Sequence, residues 1–229
     1  MSEPSQTHPS LLWGLTAVTV VSGLNDAVSY LGLGHVFTAN MTGNIVVLGF
    51  AAAAAPGFSV RATLTSIGVF LVGAVVAGSM ARRITSRRTL LIRALCIEAV
   101  FTAGAAVVAG SGPSIGSGWQ RYTMIALLAF AMGIRNSMVR RLSVTDVTTT
   151  VLTGTLTGLA ADSKLAGGSN ERAGRRVAAV ASMFIGAFVG ALLLRHINAV
   201  WPLGISAGVV AVAALVLERR PRDELEAPS

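Results

Sequence analysis

The chain has 229 residues, of which 53% are hydrophobic and only 12% charged. Soluble domains carry about 25% charged residues, so a chain of this size has more apolar surface than one water-soluble core can enclose, and much of it must face lipid. The net charge of +8 comes without a basic stripe interleaved with aromatics, which argues against nucleic acid as a partner; the basic residues fall between apolar runs, as in proteins that orient in a membrane by charge.

The first ten residues, MSEPSQTHPS, hold no Lys or Arg. They lack the charged start of a secretory signal and read as a short tail before a retained span. Crossing about 30 Å of hydrocarbon takes roughly 20 apolar residues as a helix. Six runs approach that length: Leu11–Leu31, Ala62–Ala81, Thr89–Gly110, Tyr122–Val139, Val177–Ile197 and Trp201–Leu217, with residues 218–229 as a closing tail. Two other stretches, Val36–Ala55 and Val144–Ala161, follow a span after a few residues, begin polar and turn apolar only later. The expected fold is therefore an all-α polytopic membrane protein in a single membrane domain, with about six transmembrane helices and two discontinuous, re-entrant half-helices.

The two polar-headed stretches also mark an internal repeat. Asn40-Met41-Thr42-Gly43-Asn44 aligns with Val151-Leu152-Thr153-Gly154-Thr155 at an offset of 111. Ser22 to Asp26 resembles Met132 to Asn136 at 110, and Phe70 to Ala74 resembles Met183 to Ala187 at 113. Three matches in one order at nearly one offset point to a duplication, with copies at 11–110 and 122–217. If both stretches are re-entrant, Arg82, Arg83, Arg87, Arg88, Arg140, Arg141, Lys164, Arg172, Arg175, Arg176, Arg219, Arg220 and Arg222 lie on one side, against Arg61, Arg121 and Arg195 on the other. The positive-inside rule then favours six spans with both termini cytoplasmic. Three spans per copy is odd, so the second copy is inverted, a plan that recurs in transporters with broken helices meeting at the midplane.

Small residues four apart let helix backbones approach in lipid. Gly154 with Gly158, Gly186 with Gly190, and Gly204 with Gly208 have this spacing. Packing inside the bundle is the first reading of these pairs, and self-association as a homo-oligomer the second.

Irregular backbone at membrane depth is tolerated where protein or a water-filled cavity satisfies it. Asn40, Thr42, Gly43 and Asn44 in the first copy, and Asp146, Thr149, Thr150, Thr153 and Gly154 in the second, are suited to this. Asn40 or Thr42 would cap one half-helix, and Asp146, Thr148, Thr149 or Thr150 the other. Helix N-termini offer free N–H groups and partial positive charge, which favours an anionic or strongly polar solute. Asp26, Glu98 and Arg135 are ionisable residues inside spans, which cost about 2.5–3.5 kcal/mol each unless they face protein or water. Asn25 and Asn136 stand beside Asp26 and Arg135. Depth along the spans pairs Arg135 with Glu98 and separates it from Asp26. The three histidines and the lone Cys96 have no metal-site spacing, no enzyme motif is present, and no cofactor is expected.

The runs Ser22–Leu31 and Phe37–Asn44, with Gly133–Asn136 and Thr149–Gly154 in the second copy, resemble the YoaK-like family of bacterial membrane proteins over nearly the whole chain. The resemblance implies about six spans in a bacterial plasma membrane and supplies no substrate. The functional expectation rests on the residues themselves: a transporter or channel for a small solute, anionic by the helix-end argument, with a midplane site at the two Thr-Gly motifs. The alternative is a non-transporting membrane scaffold or assembly partner.

Overall fold

The computed structural model describes residues 9–84, 86–112, 118–141, 152–170 and 173–219. The described regular structure is helical throughout. Six long helices, α1 (Pro9–Gly32), α3 (Val60–Arg83), α4 (Arg87–Gly110), α5 (Gly118–Arg141), α7 (Ala173–His196) and α8 (Val200–Arg219), are joined by two short ones, α2 (Met41–Ala52) and α6 (Leu152–Ala161). Helices α3, α4, α5, α7 and α8 are long and apolar enough to cross a membrane, and α1 has the same 24-residue length as the first four of these. The chain is a multi-pass membrane protein.

Local chemistry sets the helix ends. Ser59 and Ser86 accept the N–H of Ala62 and Thr89 and start α3 and α4, each satisfying a donor that the first turn leaves orphaned. Cations close the opposite ends, where free carbonyls gather. Arg88 donates to the Leu217 carbonyl of α8 at 3.0 Å, and Arg176 donates to the Gly158 carbonyl of α6 at 2.6 Å and to Asp162 at 2.7 Å. Beyond the end of α1, Arg121 donates to the Leu33 carbonyl at 2.8 Å.

Two parallel pairs form the flanks of the bundle. In the α1–α7 pair, a Cβ on Gly23 would collide with the backbone of Met183 and Ala187, and one on Gly186 with the backbone of Val20. In the α3–α5 pair, Gly73 abuts the Phe130 carbonyl and Gly133 the Phe70 carbonyl. Each interface is a reciprocal glycine-to-backbone contact, which lets dispersion act over short range. Gly190 sits against Leu24 and Ala27, so the Gly186–Gly190 pair packs internally. Gly204 and Gly208 differ: a Cβ on either meets nothing within 4 Å, because α8 turns Leu203, Ala207, Val210 and Ala214 to the core instead.

Helices α4 and α8 run antiparallel through the middle, with Leu203 in one apolar cluster with Ala105 and Ala109, and Val210 in another with Leu95. In this arrangement Arg82, Arg83, Arg87, Arg88, Arg140, Arg141, Arg175, Arg176 and Arg219 fall at one end of the bundle. Arg61, Arg121 and Arg195 fall at the other. Arg172, Arg220 and Arg222 lie outside the described residues.

The short helices are about 18 and 15 Å long at 1.5 Å per residue, too short to cross alone. The chain around α2 runs inward and returns. Leu33 lies level with Arg121 in the first turn of α5, yet the Ala39 carbonyl accepts from Asn136, four turns further along α5, at 3.4 Å. After α2, the Gly57 carbonyl is back beside His35, at 3.0 Å from its Nδ1.

Candidate functional site

The buried faces of three helices share one pattern. On α1, Val21, Asn25 and Val28 lie on one stripe; on α4, Leu95, Glu98, Thr102 and Ala105; on α8, Leu203, Ser206 and Val210. These spacings of three and four place each set on one helix face. Val28, Ala105 and Leu203 belong to one apolar cluster, and Val21, Leu95 and Val210 to another. Asn25, Glu98, Thr102 and Ser206 therefore form a polar layer between two apolar ones, and all four are 0% exposed.

Arg135 enters this layer from α5. Its guanidinium donates to Glu98 Oε1 at 2.8 Å and to Ser22 Oγ of α1 at 2.7 Å, and it attracts the carboxylate of Asp26, one turn beyond Ser22. Asp26 in turn faces the backbone N–H groups of Thr38 and Ala39 in the inward-running segment. Many of the polar atoms in the layer have no hydrogen-bond partner among the described residues: both amide atoms of Asn25, Asp26 Oδ1, Glu98 Oε2, and the hydroxyls of Thr38, Thr102 and Ser206. A buried polar atom left unpaired costs about 1–3 kcal/mol, so a cluster of seven such atoms is a feature that packing alone does not explain.

The segment that carries Thr38 is fixed by side chains. Asn44 accepts from the Phe37 N–H at 2.8 Å and donates to the Phe37 carbonyl at 2.7 Å and to Ser66 of α3 at 3.1 Å. Ser66 donates to the same carbonyl at 2.6 Å. Asn40 caps α2 by accepting the Gly43 N–H at 3.2 Å, and the Tyr30 and Phe37 rings stack at 4.7 Å.

Comparison with known proteins bears on these residues. The model of the family described as "Protein of unknown function (DUF1275)" matches residues 14–216. The chain belongs to this family. It is also 33% identical over 150 residues to the UPF0700 transmembrane protein YoaK of Bacillus subtilis (strain 168), and the match covers 65% of either chain. No solved structure matches it. The match to the DUF1275 family takes in every residue of the polar layer and both Thr-Gly motifs.

Of the residues singled out in the sequence of this DUF1275 member, Asn25, Asp26 and Arg135 meet at the layer, and Asn136 reaches the inward segment through Ala39. Asn40, Gly43 and Asn44 build the α2 entry, where Gly43 packs against the Phe37 ring. Thr42 is not the cap: it lies in the first turn of α2, exposed on the same face as Ile45, Val46 and Phe50. Thr153 and Gly154 are likewise exposed, at the start of α6. Asp146, Thr148, Thr149 and Thr150 lie outside the described residues. The pairing of Arg135 with Glu98 holds; Arg135 also reaches α1 through Ser22, one turn before Asp26, and among the described residues it makes no hydrogen bond to Asp26. Helical Cβ atoms lean toward the helix N-terminus, and α1 and α5 are antiparallel, so Asp26 and Arg135 lean toward each other and narrow the depth gap. Ser22, Thr102 and Ser206 were not among the candidate site residues of the sequence, and Thr38 entered only as the start of the polar segment Thr38–Asn44. A lone polar residue at core spacing between apolar ones, as in Leu203–Ser206–Val210, was the signal for them.

Proposed function

We propose that this chain is a transporter or channel for a small polar solute, which binds at the layer formed by Asn25, Asp26, Thr38, Glu98, Thr102, Arg135 and Ser206. The observation that carries the reading is the sandwich: unpartnered polar groups at mid-bundle, closed by an apolar cluster on either side. A permeation path in its shut form has this arrangement, with binding at the centre and a dry barrier toward each face. In this reading six helices span the inner membrane of a bacterium, both termini are cytoplasmic, and α2 and α6 are re-entrant. The two copies form an inverted repeat, supported by the matched glycine contacts of the α1–α7 and α3–α5 pairs.

The test is flux in proteoliposomes across a panel of small ions and neutral metabolites. Asn25→Val, nearly equal in volume and lacking the amide, is expected to reduce flux at least tenfold while leaving the protein folded. Equal flux with Asn25→Val and wild type would overturn the site. The scaffold reading draws on the open face of α8 at Gly204 and Gly208; a chain that moves no solute in the panel but loses self-association in detergent with Gly208→Leu would favour it.

A further inference from the structure

We propose that the polar layer takes a monovalent cation, a proton or a sodium-sized ion, and not an anion. The inference rests on the binding reading above and adds the class of ligand. Among the described residues, the charged groups that meet at the layer are Asp26 from α1, Glu98 from α4 and Arg135 from α5. Helix α8 contributes Ser206, and α7 meets this part of α1 through Met183, Gly186, Ala187 and Gly190, none of them charged. Two carboxylates thus face one guanidinium, and the layer is one positive charge short. An uncompensated charge in a dry interior is strongly unfavourable, and binding one cation balances it.

The unpaired atoms agree with this sign. They include one oxygen of each carboxylate, the Asn25 carbonyl oxygen, and the hydroxyls of Thr38, Thr102 and Ser206. These are hard oxygen acceptors, the donor set that small cations select. The charged donor an anion would need is committed elsewhere, which leaves it the Asn25 amide nitrogen and hydroxyls. Arg135 already donates to Glu98 and Ser22, and the Phe37 and Gly43 N–H groups at the entry to α2 are taken by Asn44 and Asn40. Arg135 acts as a positioning residue: it holds Glu98 by one oxygen and leaves Oε2 free to face the ion.

Two neutral variants test the charge argument without altering shape. Asp26→Asn and Glu98→Gln each leave one carboxylate against one guanidinium, so each single variant balances the layer. Purified protein in detergent is melted in NaCl against choline chloride at constant ionic strength and fixed pH, and again across a pH series in choline chloride. A ligand that binds only the folded state raises the melting temperature. If the cation is sodium, NaCl raises the wild-type melting temperature and either variant raises the half-saturating concentration by at least tenfold. If it is the proton, acid stabilises wild type with no sodium effect, and either variant flattens the pH series. Should one variant fail to fold, the other carries the test. A response identical in wild type and variants overturns the proposal. So does stabilisation of wild type by phosphate or sulfate that Arg135→Gln abolishes, since the ligand is then an anion. Failure of the transport reading is separable: it would leave the cation response intact in detergent while Asn25→Val leaves flux unchanged.

Discussion

Asp26 and Asn136, 110 positions apart in the chain, flank one residue: the Asp26 carboxyl group lies beside the Ala39 N–H, and Asn136 donates to the Ala39 carbonyl at 3.4 Å. The two occupy matching places in the proposed repeat, and both face the segment that runs into the bundle. That segment has no helix or sheet to satisfy its backbone, and lipid offers no hydrogen bonds. Side chains from α2, α3 and α5 do so instead.

Asn44 is the strongest of these supports, because it serves both the N–H and the carbonyl of Phe37. Asn44→Leu leaves the Phe37 N–H unpaired, while Ser66 still serves the carbonyl. The expected loss of stability is about 1–3 kcal/mol. Asn40→Ala removes the cap of α2 and is expected to cost about 1 kcal/mol. Thr42→Val, on the exposed face, is expected to change stability by less than about 0.5 kcal/mol. Chemical unfolding of the three variants in mixed micelles checks the order. A Thr42 effect as large as that of Asn44 would mean that this hydroxyl supports the segment after all.

The buried ion pair makes an asymmetric prediction. Arg135→Met strands two carboxylates, 0% and 7% exposed, and breaking a buried pair by removing one partner costs about 3–5 kcal/mol. Glu98→Gln leaves Arg135 balanced by Asp26 and still offers it an amide oxygen, so its cost is expected to be no more than about 1 kcal/mol. The Asp26→Asn, Glu98→Gln double variant strands the guanidinium and is expected to be less stable than the sum of the singles, the sign of a shared partner. Additive effects in a double-mutant cycle would show that the two carboxylates do not share Arg135.

The helices were legible in the sequence because length and apolarity fix them: the run Ala62–Ala81 became Val60–Arg83, and Thr89–Gly110 became Arg87–Gly110. The inward turn was legible too, since a polar head on an apolar run has few other uses in a membrane. Which residues of that head face the centre was not. Thr42 and Asn44 are two positions apart, and on a helix two positions is about 200° of rotation; one faces outward and the other is buried. Ser206 and Thr102 were hidden for a different reason. Serine and threonine satisfy their hydroxyls on their own helix in many spans, as Ser182 does on the Ala178 carbonyl at 2.6 Å. Only the packing reveals which of them do not.

The gathering of cations at one end of the bundle predicts its orientation. In a Cys96→Ser background, Ala53→Cys lies between α2 and α3 at the end with Arg61 and Arg121, and Ser169→Cys lies before α7 at the end with Arg175 and Arg176. Both positions are exposed. By the positive-inside rule, an impermeant thiol reagent added to intact cells is expected to label Ala53→Cys and to leave Ser169→Cys unmodified until the cells are opened. Labelling of both from outside would place the two loops on the same face, and the re-entrant reading of one half would fall.

The glycine contacts test the repeat itself. Gly23 meets α7 as Gly133 meets α3, and Gly186 meets α1 as Gly73 meets α5. In every case the colliding atoms belong to the partner's backbone, which cannot rotate away as a side chain does. Alanine at any of the four must push two helices apart, and overpacking of this kind costs about 1–3 kcal/mol. If the halves are copies of one design, Gly23→Ala and Gly133→Ala should lower stability by similar amounts, and so should Gly73→Ala and Gly186→Ala. Gly208→Ala is the control: it is also helical, but a Cβ there meets nothing within 4 Å. Its higher helix propensity, worth about 1 kcal/mol, should make that variant neutral or slightly more stable. Thermal unfolding in one detergent orders the five. Costs confined to Gly23 and Gly186, with Gly73→Ala and Gly133→Ala no worse than the control, would mean that only one flank depends on close backbone approach. The matched contacts would then be a poor guide to duplication.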